Sequence, residues 1–160
     1  MGCNKIILKD SSNADSRTCK EDVTLDDVYE ATKIHRTDVQ KALEFFSEEL
    51  LSRGDDHDFT KINDFDNYGI MVVNGVKDDK FLASEWWNNH ITLERHHLDA
   101  YSPIDVNLFD VLEMIADRVC AEKGRTGSIN TNYLKLDSEI LIRAYYNTIK
   151  LLDDNTQREG

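Results

Sequence analysis

Five histidines, His35, His57, His90, His96 and His97, fall between residues 35 and 97 of a 160-residue chain. His57 is followed directly by Asp58, His96 by His97, and Asp117 lies further on in a stretch of helical apolar spacing. Neutral imidazole and carboxylate together suit borderline divalent metals, and a pair of ions sharing one bridging carboxylate needs about six such ligands. Scattered surface histidines have no reason to gather in this way, so the pattern predicts a bound metal.

The elements that must position these side chains read as mostly helical. Thr24 with Asp27 three residues on resembles a capping box, and Val28, Ala31, Val39, Ala42, Phe46 and Leu50 recur at helical spacing until Gly54. That predicts a helix over about 25–52, broken near His35. The acidic stretch from Asp55 to Asp66 suits a short helix or turn at the His57–Asp58 doublet, and the apolar, β-branched run from Tyr68 to Val76 reads as a strand, with a buried helix segment left open by periodicity at this length. A second helical region, Lys80 to Ala100, carries Phe81, Leu82, Trp86 and Trp87 ahead of the later histidines. If it is continuous, His90 and His97 align; a break before Glu94 would instead turn His96 inward, and the sequence leaves both open.

Ser102, Pro103 and Asp105 form a helix start, predicting a helix through Leu108, Leu112, Ile115 and Val119 to Gly124. On it Asp110, Glu113 and Asp117 share one face, where Asp110 or Glu113 could orient a ligand histidine or act as general base. A last helix over about 132–152 buries Leu136, Ile140, Ile142, Tyr145 and Ile149. No repeat is visible, and the single proline leaves little room for linkers.

Composition bounds the function. With 40% hydrophobic residues the chain can build one core, and the expected organisation is a flexible arm over 1–22, a helical domain over 23–153 and a frayed end over 154–160. The net charge of -12, from 31 acidic against 19 basic residues, argues against wrapping duplex nucleic acid. A small anionic substrate is still accommodated where metals supply positive charge locally. Cys3, Cys19 and Cys120 form no CxxC pattern, which points to reduced thiols and a cytoplasmic home. No stretch reads as a signal or as a membrane span, and Gly2 lacks the Ser or Thr that a myristoylation start wants at position 6, where Ile6 stands.

The order His, His-Asp, distal Asp resembles the HD superfamily of metal-dependent phosphohydrolases, and the further histidines between doublet and distal Asp resemble its two-metal branch. The segments His57-Asp58-Phe59-Thr60-Lys61, Trp86-Trp87-Asn88-Asn89-His90, Glu94-Arg95-His96-His97 and Leu112 through Arg118 are similar to an uncharacterised group of phage and bacterial HD-like proteins. The similarity covers about residues 30–125. It implies an all-α, HD-domain-like bundle around the metal site. It also implies that His35, His57, Asp58 and Asp117 hold one divalent ion and that Asp58 bridges to a second, held by His90 and His96. His97 would then be a spare ligand or a substrate contact, and the choice between His96 and His97 stays open. Three-metal branches carry a Glu four residues before the first histidine; Ala31 stands there, against a third ion.

Two bridged ions, whether Mn, Fe, Co, Ni, Mg or Zn, activate a water and neutralise a phosphoryl group. The expected machinery is therefore Asp58, Lys61 and Glu113, with Arg95 and Arg118 as phosphate contacts, acting on a nucleotide or other small phosphate ester. Two readings compete with this one: an HD-type di-iron oxygenase, and a non-catalytic metal-containing phage interaction protein, which would place the chain in a host cytoplasm. No membrane partner is expected, and a homodimer is left open.

Overall fold

The computed structural model describes residues 5–10, 21–74, 79–130 and 135–159. Cys3, Cys19, Gly2 and most of the expected N-terminal arm lie outside them, as do the first residues of the expected last helix. The chain is all-α, as the sequence predicts. The described residues form seven helices: α1 Leu25–Asp56, α2 Phe59–Asn63, α3 Phe65–Val73, α4 Asp79–Leu82, α5 Glu85–Leu93, α6 Leu108–Thr126 and α7 Ser138–Asn155. Two short strands, β1 Ile6–Leu8 and β2 Thr156–Arg158, complete the element order.

Two units divide these elements: Met1–Glu49 with Ile149–Gly160, and Leu50–Thr148. In the first unit β1 pairs in parallel with β2, Ile6 opposite Thr156 and Leu8 opposite Arg158. The predicted flexible arm and frayed end thus correct to a strand pair where residues 6–8 meet 156–158, because each supplies the backbone partners that the other would leave to water. α1 starts at the predicted Thr24 box, whose hydroxyl accepts from the Asp27 N–H at 3.2 Å while Asp27 accepts from the Thr24 N–H at 2.9 Å. The predicted break near His35 does not occur. Nor does α1 bury its apolar stripe: no residue of the helix is buried. Local pairs support it instead, Lys33 with Glu30 and Lys41 with Asp38, both at 2.9 Å, and the Lys41 amine donates to the Ile7 carbonyl at 2.7 Å.

In the second unit the core is Leu98, Val106, Val111, Met114 and Ala144, with Leu108, Leu136 and Ile140 packed against it. α7 contributes Ala144 and Thr148 to the interior, while the expected Ile142 and Tyr145 are more than half exposed. Small residues let α7 approach closely: the Thr148 hydroxyl accepts the Leu108 N–H at 2.8 Å, and the Asn147 amide donates to the carbonyl of Val106 at 2.8 Å.

Three local expectations are corrected. The run from Tyr68 is helix α3 rather than a strand, its backbone groups paired within the helix, with Tyr68 stacked on Trp86 at 4.9 Å between ring centres and Ile70, Val72 and Val73 exposed; Gly75 and Val76 lie outside the described residues. α6 starts five residues later than Ser102-Pro103 predicts. Asn107 caps it, accepting from the N–H of Phe109 and Asp110, and Asp110 returns a bond to the Asn107 N–H at 2.9 Å. α6 also runs past Gly124 to Gly127, which adopts the left-handed conformation (φ 77°) that ends helices.

Candidate metal centre

Two backbone features aim the ligand side chains. The first is the end of α5. Ser84 caps its start, accepting the Trp87 N–H at 3.1 Å, and the helix closes at Leu93, with Glu94 extended at its C-cap. Of the two arrangements that the sequence leaves open, this is the broken one. It brings His90, His96 and His97 together, and His90 and His96 are 1% and 2% exposed.

The second is Asp58, which sits in the left-handed region at φ 57°, ψ 28°. A non-glycine residue there costs about 1 kcal/mol or more. Asp58 is the N-cap of α2, yet its carboxylate makes no capping bond. The side chain turns inward instead: Oδ2 pairs with Lys61 at 2.5 Å, and Oδ1 is buried with no hydrogen-bond partner. Around that bare oxygen stand the Nε2 atoms of His90 at 3.7 Å and His96 at 3.8 Å, and the His97 Nε2 lies 2.8 Å from that of His90. One ligand atom from each of Asp58, His90, His96 and His97 lies within 4.8 Å of the others, so these four can hold a metal ion.

The outer partners of the imidazoles decide which nitrogens are free. The Thr60 hydroxyl and N–H both donate to Glu94 Oε1, at 2.6 and 2.8 Å, so the hydroxyl oxygen receives the Nδ1–H of His90 at 2.6 Å. Glu113 Oε1 accepts the Nδ1–H of His57 at 3.0 Å and that of His96 at 3.1 Å. His57, His90 and His96 therefore carry their protons on Nδ1 and leave Nε2 unprotonated, that of His90 accepting the Nε2–H of His97 at 2.8 Å. His57, His96 and Glu113 are also close enough to be counted as a ligand group. Their separations are hydrogen bonds with a proton in each, so Glu113 orients ligands rather than joining them.

The electrostatics agree with neutral donors at His90 and His97. Burial pushes the pKa of His90 down to about 3 and that of His97 down to about 4, with the neighbouring imidazoles adding to the effect. Trp86 stacks on His90 with 5.1 Å between ring centres, and Trp87 meets the His97 ring edge-on at 5.4 Å. For His57, burial opposes charge, but the Glu113 bond and the carboxylates of Asp58 and Asp117 prevail and raise its pKa. Burial likewise opposes ionisation of Asp58 and Glu113; Lys61 holds the first low, and His96, His57 and Arg53 hold the second low.

Each residue named from sequence has a place. His57, Asp58, His90, His96, His97 and Glu113 meet at one centre, with the Asp117 Oδ1 at 3.6 Å from the His57 Nε2. His35 belongs to the other unit. It is exposed on the unbroken α1 in the first unit, beside a cavity lined also by Leu8, Asp38 and Val39. Lys61 sits on Asp58.

Arg95 does not serve as a phosphate contact. Its guanidinium is saturated by both oxygens of Asp110 at 2.8 Å and by Asp105 at 3.1 Å. Arg118 pairs with Asp99 at 2.8 Å. Together with Asp58, Lys61, Asp117 and Arg125 it lines a chamber of about 560 Å³. Sequence reasoning missed Thr60, Glu94 and the shielding by the two tryptophans. Only the position of Glu94, one helical turn after His90, signals an outer partner.

Among the described residues, no helix is long and apolar enough to cross a membrane. The sequence profile of one family, described as "Family of unknown function (DUF5662)", matches residues 24–157, so the chain belongs to that family. No curated protein and no solved structure matches the chain.

Proposed function

We propose that this DUF5662 member is a metal-dependent phosphohydrolase acting on a nucleotide or another small phosphate ester. The observation that carries the reading is the buried, unpartnered Oδ1 of Asp58 facing three imidazoles beside a chamber lined by Lys61 and Arg118. A buried carboxylate oxygen without a partner loses hydration without compensation, and a cation is the partner that fits a set of one oxygen and three nitrogens.

Asp58, His90, His96 and His97 would hold the tighter of two ions. His57 and Asp117, with Asp58, would hold the second more weakly, because Lys61 already neutralises one oxygen of that carboxylate. Divalent ions so bound supply a hydroxide near neutral pH and a positive field for a phosphoryl group. Lys61 and Arg118 bind and orient the phosphate in the chamber, since their charges lie beside the carboxylates that the ions neutralise. Glu113 keeps His57 and His96 in the donor tautomer. Thr60 and Glu94 do the same for His90.

The test is a screen of nucleoside mono- and triphosphates for release of phosphate or pyrophosphate with Mn or Co added. Release should vanish with chelator and return with metal. Tightly bound iron with oxygen consumption and no phosphate release would replace this reading by the oxygenase. A metal-loaded protein inert in both assays would point to a binding module.

A further inference from the structure

A second cavity, of about 410 Å³, also meets the metal centre. Leu112, Ala116 and Cys120, four residues apart on α6, form one stripe of its lining, and Leu50 on α1 contributes another apolar group. His57, Glu113, Asp117 and Arg53 line it as well, the guanidinium of Arg53 being held by Asp110 and Glu113. Ligand sites are typically concave, largely apolar, and provided with a few convergent polar groups, and this cavity has that make-up. It differs from the cation-lined chamber, which shares Asp117 with it and contains Lys61, Arg118 and Arg125. One carboxylate of the candidate centre therefore lies between a cavity suited to charge and a cavity suited to an uncharged body.

We infer that the 410 Å³ cavity binds the apolar body of the substrate, so that the substrate class is a phosphate ester of an aromatic or otherwise apolar alcohol. The inference rests on the phosphohydrolase reading for its charged end and on the cavity for its apolar end. Burying a flat ring against Leu50, Leu112 and Ala116 removes apolar area from water, which favours a phenyl over a methyl group by about tenfold or more. Purely polar esters would gain nothing there.

Phenylphosphonate and methylphosphonate, which carry the same charged group on different bodies and are not hydrolysed, are titrated calorimetrically into the cobalt-loaded full chain. Wild type should bind the phenyl compound about tenfold or more tightly. Ala116→Trp, which fills the cavity from an exposed helical position, should remove that preference and leave methylphosphonate affinity and cobalt content unchanged. Ala116→Leu, a good helix former of intermediate size, should reduce the preference and provides a second variant should the tryptophan disturb folding. Equal affinities in wild type, or a preference that survives both variants, would overturn the inference and leave the phosphohydrolase reading standing. Failure of both phosphonates to bind wild type would overturn the two together.

Discussion

Asp110 and Asp58 are two carboxylates of the same unit with opposite settings. Asp110 is fully buried and saturated: Arg53 and Arg95 donate to one oxygen, and Arg95 and the Asn107 N–H to the other. Asp58 has one oxygen on Lys61 and the other bare, although imidazole nitrogens and not apolar groups surround it. The first is a joint between the end of α1, the segment after α5 and the start of α6. The second has the strained backbone and unspent acceptor expected where a ligand completes the structure. The comparison separates residues that hold the fold from residues that hold something else.

Breaking each carboxylate should therefore break different things. Asp58→Ala should reduce cobalt affinity by more than the roughly 10–100-fold that an orienting partner is worth, and abolish metal-dependent activity, with helical content by circular dichroism unchanged. Asp58→Asn, which tolerates the same backbone conformation, should show the same loss and so exclude a backbone cause. Asp110→Ala should do the reverse. It leaves two guanidinium groups without their partner and should cost about 3–5 kcal/mol in denaturant unfolding while the folded fraction still binds cobalt stoichiometrically.

The outer partners sharpen the contrast on a smaller scale. Glu113→Gln should weaken cobalt binding about 10–100-fold, because one carboxylate fixes both His57 and His96. Thr60→Val removes the partner of one candidate ligand, His90, and should fall at the lower end, about tenfold. The smallest effect is the pH dependence of the metal-free protein. His90 and His97 have pKa values lowered to about 3 and about 4, so between pH 6.5 and 4 the unfolded chain binds more protons than the folded one. Stability should be lost as the pH is lowered through that window, by about 1 kcal/mol per histidine at one unit below 6.5, offset in part by His57, whose pKa is raised. Thermal unfolding of chelated protein at pH 7.5 and 5.5 checks the sign.

Much of the centre was legible in the sequence, because chemistry-bearing residue types announce themselves: the His57–Asp58 and His96–His97 doublets, His90, and the Glu113–Asp117 face of α6 all come together. What was not legible follows from long-range packing. His35 has the right residue type, but the division into units, which sets it apart from the unit of the other four histidines, is not written in local sequence. Arg95 reads as a free cation until Asp110 is known to be buried beneath it. The start of α6 at Asn107 rather than Ser102 turns on the reciprocal bond from Asp110, and the run from Tyr68 is too short for its apolar pattern to separate helix from strand. α1 shows the same limit from the other side: its apolar period is correct and its burial is not.

The most direct test is to purify the protein without chelator, measure its metals by elemental analysis, and titrate the stripped protein with Mn, Fe, Co, Ni and Zn. About one tightly held divalent ion per chain and a second, weaker one are expected, with the tight ion lost in Asp58→Ala. A wild-type protein that carries no metal and shows no heat of binding for any of the five would contradict this expectation.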